Sequence, residues 1–233
     1  PAPFSVYDQV SNQAFGSAAV PSNLAPSWKL AAASNFEKPR GIYMDKTRNL
    51  MIFLDGKTGS GFGLFIYDLT SGFQDATIPP FPPTFAPIAF PVHDAIGPTG
   101  KTLAPPTFQR SSTTGLSAGG PTGLAVDEAR GLIYVSEKNT NSVVVYDYAT
   151  TTALTRLRTI TGLNKPSGVF IDTQRNLLYV TNNGEETGAT ANHTANTVSV
   201  FEQASTKGDG VTGCPTGTKT PCRPNRIIST AGL

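Results

Sequence analysis

A Pro-x-Gly recurs three times in this chain with the same residues at the same distances behind it, and internal repetition of this kind fixes the fold class before any single residue does. The copies begin at Pro39-Arg40-Gly41, Pro121-Thr122-Gly123 and Pro166-Ser167-Gly168. An aspartate follows each glycine by four residues (Asp45, Asp127, Asp172) and an arginine by seven (Arg48, Arg130, Arg175). Apolar residues follow by nine and eleven: Leu50 and Ile52, Leu132 and Tyr134, Leu177 and Tyr179. A second element comes after each copy, reading Leu64-Phe65-Ile66-Tyr67-Asp68, Val143-Val144-Val145-Tyr146-Asp147 and Val198-Ser199-Val200-Phe201-Glu202. A further copy of it, Phe4-Ser5-Val6-Tyr7-Asp8, opens the chain.

The chemistry of the turns explains the spacing. Each Pro-x-Gly leads a short apolar run that ends in an aspartate, a residue that favours turns. The next four residues are polar and close on Asn49, Gly131 or Asn176, which predicts a hairpin. The runs beyond are rich in Leu, Ile, Tyr and Val and fit a half-buried pleated surface. No window carries a helical period over eleven or more residues. The reading is all-β, with the Leu50, Leu132 and Leu177 runs as third strands and the Tyr-Asp runs as fourth strands.

A four-stranded unit of roughly 40 to 45 residues is the mark of a propeller blade. Pro-x-Gly, the aspartate, Leu178-Tyr179-Val180-Thr181-Asn182 and Thr197-Val198-Ser199-Val200-Phe201 together resemble the YVTN and NHL groups of β-propeller repeats, with lactonase-type and gluconolactonase-like propellers as more distant relatives. The resemblance implies a β-propeller of four-stranded antiparallel blades over residues 1–233. It implies no single function, because such propellers serve as binding scaffolds, surface-layer modules and, in some relatives, enzymes. About four blades are represented, and both ends read as cut from a longer array. Open sheet edges pair with something. The preferred expectation is further chain, and the other is a neighbouring copy that supplies strands.

A net charge of +2 and the lack of a basic stripe interleaved with aromatics give no sign of nucleic-acid binding. No run approaches the roughly 20 apolar residues of a membrane span. Charged residues make up 15% of the chain, below the usual value of about 25%. Together with the abundant Gly, Pro, Ser and Thr, that fits a turn-rich protein working in a secreted, periplasmic or cell-surface setting. Cys214 and Cys222 flank a Gly/Pro/Thr-rich stretch inside a loop spanning 204–225. A disulfide stapling that loop is the first reading, and it argues for an oxidising compartment. A zinc site is the rival, but it needs four ligands and shows no second Cys/His pair nearby. Asn192-His193-Thr194 forms a glycosylation sequon.

Residues 10–27 form a polar excursion, and residues 70–109 a proline-rich insertion. The prolines forbid regular strand pairing there. Four phenylalanines over 81–108 anchor it to the body.

Three groups could carry chemistry. Asp55, Glu137 and Asn182 each stand fourteen residues after the repeat glycine. In a propeller such equivalent positions gather around one rim, where oxygen ligands could hold Ca²⁺, as a metal sits near such a rim in gluconolactonase-like propellers. The other reading is strand-end turn residues. The Asp45/Arg48, Asp127/Arg130 and Asp172/Arg175 pairs are expected to stabilise turns, by pairing or by bonding backbone amides. His93-Asp94 could be an acid–base pair, and no Gly-x-Ser-x-Gly elbow is present. Catalytic residues are rarely copied in every repeat. The expected function is therefore a non-catalytic binding or self-assembly module, meeting a protein or surface partner or its own copies through open sheet edges. The alternative is a lactonase-type hydrolase with a metal at the axial mouth.

Overall fold

The structure, a computed structural model, describes residues 5–6, 28–29, 38–68, 107–149, 153–184, 196–209 and 222–229. Fourteen strands run through them: β1 (Ser5–Val6), β2 (Trp28–Lys29), β3 (Pro39–Asp45), β4 (Leu50–Asp55), β5 (Gly63–Asp68), β6 (Thr107–Ser112), β7 (Pro121–Asp127), β8 (Leu132–Glu137), β9 (Ser142–Asp147), β10 (Thr155–Ile160), β11 (Pro166–Asp172), β12 (Leu177–Asn182), β13 (Thr197–Glu202) and β14 (Arg226–Ser229). No helix occurs among the described residues.

The strands form three four-stranded antiparallel meanders, β3-β4-β5-β6, β7-β8-β9-β10 and β11-β12-β13-β14, and a pair, β1-β2. The repeat aspartate pairs with the repeat leucine in each: Asp45 with Leu50, Asp127 with Leu132, Asp172 with Leu177. The leading strands β3, β7 and β11 also share a register shift at the Pro-x-Gly. β7 lies between β3 and β11, so the sheets stack face to face around their leading strands. This is a β-propeller of four-stranded blades.

One correction concerns strand order. The Tyr-Asp runs are third strands (β5, β9, β13), and the Leu runs are second strands. The fourth strands are β6, β10 and β14, which the sequence reading did not identify. The proline-rich insertion accordingly stops short of Thr107, where β6 begins.

The core is two layers. Leu50, Ile52, Leu54, Leu64 and Ile66 of the first sheet pack against Val126, Ile133, Val135, Val144 and Tyr146 of the second. Leu132, Tyr134, Val143 and Val145 of the second sheet pack against Ile171, Leu178, Val180 and Phe201 of the third. Successive residues of β8 therefore enter opposite layers, as the strand period of two requires. That burial on both faces is why β4 and β8 read as unbroken apolar runs.

The repeat glycine has a steric reason. A Cβ on Gly41 would stand 2.8 Å from Leu124 Cβ, and one on Gly123 would meet the Ser167 carbonyl oxygen. Both neighbours belong to the next sheet, so the glycine lets leading strands approach closely. Asn49, Gly131 and Asn176 close the first hairpin of each sheet at φ of 53°, 65° and 55°, a region that Asn and Gly tolerate.

Candidate functional site

The hairpins joining the first two strands of each sheet lie at one end of the stack. There the Asp/Arg pairs recur as ion pairs of 2.9 Å (Arg48–Asp45), 2.7 Å (Arg130–Asp127) and 2.8 Å (Arg175–Asp172). The other carboxylate oxygen of each aspartate accepts the arginine backbone N–H, at 2.9, 3.1 and 2.9 Å. The expectation of turn-stabilising pairs holds in both its forms. For Asp172 the Arg175 backbone amide, and then the Arg175 side chain, hold the carboxyl below its ordinary value.

The arginines also reach across sheets. Arg48 Nη1 donates to the Glu128 carbonyl at 3.2 Å, and Arg130 Nη1 to the Thr173 carbonyl at 2.9 Å. Each acceptor directly follows the repeat aspartate of the next sheet. Tyr148 returns the link, donating from its hydroxyl to Asp45 Oδ2 at 2.7 Å. Burial, and then this bond, raise the Tyr148 phenol far above its ordinary value.

A groove of about 570 Å³ opens at this end, lined by Tyr43, Thr47, Arg48, Val126, Glu128, Ala129 and Thr173 from all three sheets. Glu128 is held by two hydroxyl donors of the first sheet, Tyr43 Oη at 2.8 Å and Thr47 Oγ1 at 3.1 Å. The Tyr43 phenol is raised by burial and by this bond. Glu128 and Tyr43 were not singled out in the sequence. Their signal is departure from the repeat: Lys46 and Thr173 stand where Glu128 does, and Ala125 and Phe170 where Tyr43 does.

Asp55, Glu137 and Asn182 stand at the ends of the second strands and are all buried. Asp55 Oδ1 accepts the backbone N–H groups of Lys57 at 2.7 Å and Lys38 at 3.3 Å. Glu137 Oε1 accepts from Asn139 N at 2.8 Å, and its Oε2 accepts from Ser117 N at 2.7 Å and Ser117 Oγ at 2.9 Å. Asn182 Oδ1 accepts from Asn164 N at 3.0 Å, and its Nδ2 donates to Ser199 Oγ at 3.0 Å and Thr197 Oγ1 at 3.2 Å. Each residue thus bonds the connection into its own sheet. Buried acceptors are satisfied this way because an unpaired one is costly. No three His, Cys, Asp or Glu side chains group as metal ligands among the described residues.

Asp68 and Asp147 are also bonded locally: Asp68 accepts from Gln109 Nε2 at 3.1 Å, and Asp147 from Ala149 N at 2.9 Å. Cys222 is buried in the layer between the second and third sheets, and its N–H donates to Thr161 Oγ1 at 3.0 Å. Cys214, His93, Asp94, Asn192 and His193 lie outside the described residues, as do 10–27 and most of the 70–109 insertion. No helix among the described residues is long and apolar enough to cross a membrane.

Residues 119–146, running from just before β7 into β9, match the model of the NHL repeat family. No curated protein matches the chain in sequence. Among solved structures the chain is similar to Kuenenia stuttgartiensis hydrazine synthase, at 15% identity over 84% of this chain and 37% of that one, with a TM-score of 0.47. It is similar to a nidogen/laminin complex at 16% identity, over 72% of this chain and 46% of that one, with a TM-score of 0.44. A luciferin-regenerating enzyme gives 16% identity, coverage of 80% and 50%, and a TM-score of 0.42. The chain spans only 37% to 50% of the length of these structures.

Proposed function

We infer that this β-propeller chain, with its NHL repeat, is a non-catalytic binding and assembly module of an oxidising, extracytoplasmic compartment. The observation that carries the reading is the work done by its repeated polar side chains. Asp45, Asp127 and Asp172 hold hairpins, while Asp55, Glu137 and Asn182 hold strand ends, each by accepting a backbone N–H from a nearby turn or connection of its own sheet. A lactonase-type hydrolase needs carboxylates that converge on a metal, a water or a carbonyl. Carboxylates already bonded within separate sheets are poorly placed for that work.

The groove at Tyr43, Arg48 and Glu128 offers a concave, mixed-charge surface to a protein partner. A Cys214–Cys222 disulfide belongs to the same reading: it would staple the 204–225 loop, one end of which is anchored by the buried Cys222. An oxidising compartment is where such a bond persists.

The test is an assay of the purified chain for lactone hydrolysis and bound Ca²⁺ or Zn²⁺, with its mass measured before and after reduction and alkylation. The expected result is no turnover, no stoichiometric metal and one disulfide per chain. Lactone turnover that falls in Glu137→Gln or Asp55→Asn would establish the hydrolase instead.

A further inference from the structure

An arginine donor joins each sheet to the one after it, and two hydroxyl donors also join the second sheet to the third. From the second sheet to the third, Thr122 Oγ1 donates to the Pro166 carbonyl at 2.8 Å and Ser136 Oγ to the Ser167 carbonyl at 2.8 Å. Arg130 reaches the Thr173 carbonyl. The equivalent residues of the third sheet are Ser167, Thr181 and Arg175. The hydroxyls of Ser167 and Thr181 stand 2.9 Å apart, matching the 3.1 Å between Thr122 and Ser136. Their outward side carries no further sheet among the described residues. The Arg175 side chain is 73% exposed, against 37% for Arg130, and Phe170 is 64% exposed where Ala125 is buried.

This uncovered surface is confined to β11 and β12. Val200, on the same face one strand further out, is buried. The opposite flank of the stack shows the matching half. Ile42 and Met44 are 45% and 40% exposed, at the positions where Leu124 and Val126 of the second sheet pack into the core. Met51 and Phe53, their partners across the strand pair, are buried, so the free patch there is confined to β3. Two inner-strand patches thus remain, and they are equivalent to the two sides of the contact between the second and third sheets.

We propose that these patches dock on each other between copies of this chain, β11 and β12 of one copy against β3 of the next. Phe170 covers Ile42 and Met44, and Arg175 donates to the carbonyl after Asp45. The hydroxyls of Ser167 and Thr181 donate to the carbonyls of Pro39 and Arg40. The contact is heterologous, so copies add head to tail. It covers only the inner strands, which makes association concentration-dependent. The proposal rests on reading the chain as an assembly module. Lactone turnover in the same samples would refute that reading and leave the association result standing.

The experiment uses the full 233-residue chain in Phe170→Asp and Met44→Asp forms, both changes lying on exposed positions. Circular dichroism confirms the fold, and light scattering over a concentration series gives the mass. The parent chain should form multimers. Each variant should associate at least about tenfold more weakly, because a carboxylate is carried into an apolar contact. An equimolar mixture should yield one species of twice the chain mass, since each variant keeps the flank the other has lost. A monomeric parent, variants that self-associate like the parent, or a mixture that fails to pair would each overturn the proposal.

Discussion

Tyr148 lies just beyond the third strand of the second sheet, yet its hydroxyl bonds Asp45 Oδ2, inside the first hairpin of the sheet before it. Asp45 also holds Arg48, whose guanidinium stands 5.3 Å from the centre of the Tyr148 ring and donates to the Glu128 carbonyl. One buried carboxylate therefore ties a hairpin to the neighbouring sheet at two points.

Removing that carboxylate should cost more in the interior of the stack than at its open flank. Asp45→Ala strands Tyr148 and Arg48, and the expected loss is on the order of 2 to 4 kcal/mol, short of a fully buried pair because Arg48 is partly solvated. Asp172→Ala breaks the bonds to the Arg175 amide and guanidinium in a hairpin left open to water, where a smaller loss is expected. Urea midpoints of the two variants check the ranking, and equal losses would contradict it.

The repeat glycines should differ in the same sense. A methyl on Gly123 drives into the Ser167 carbonyl and lies 2.8 Å from Ser136 Oγ, so Gly123→Ala should destabilise by roughly 1 to 3 kcal/mol. At Gly168 the nearest atom is Thr181 Oγ1 of the same sheet, at 2.9 Å, and Gly168→Ala should cost less. Thermal midpoints decide between them.

Alkaline pH should expose the buried phenols late. Burial is the largest cause raising Tyr43, Tyr134, Tyr146 and Tyr148 above 10.0. A raised native value contributes stability that is complete below 10.0 and is lost as pH rises through the native values. Phenolate absorbance between pH 10 and 11 should therefore account for fewer than the seven tyrosines, with the rest ionising only as the sheets unfold. Seven phenols titrating together near 10 with circular dichroism unchanged would contradict this.

At the acid end the sign reverses. The Asp172 carboxyl is held below 3.8 by the Arg175 amide and guanidinium. Its contribution is complete above that ordinary value and is lost as pH falls through the lower native one. The difference in urea midpoint between the parent chain and Asp172→Asn should be constant near neutrality and shrink as pH drops below about 4. A difference that grows on acidification would rule this out.

The repeat made the leading strands, the first hairpins and the second strands legible, because their spacing is set by steric needs common to every sheet. The pairings Asp45–Leu50, Asp127–Leu132 and Asp172–Leu177 all occur at the offsets the sequence predicts. The fourth strands were not legible. β6, β10 and β14 follow their third strands after connections of very different length, and half of β10 and all of β14 are exposed, so neither spacing nor alternation marks them. The site divided along the same line. The Asp/Arg pairs could be read because they recur. Glu128 and Tyr43 are marked in the sequence only as departures from the repeat, and their pairing emerges once the neighbouring sheet is placed beside them.

Leu132 and Tyr134 belong to one apolar layer, and Ile133 and Val135 to the other. A slip of one position along that strand would trade the occupants of both layers at once. The middle repeat is therefore not a spare part: a transplanted copy of its neighbour would have to satisfy two different mould surfaces with a sequence shaped for one.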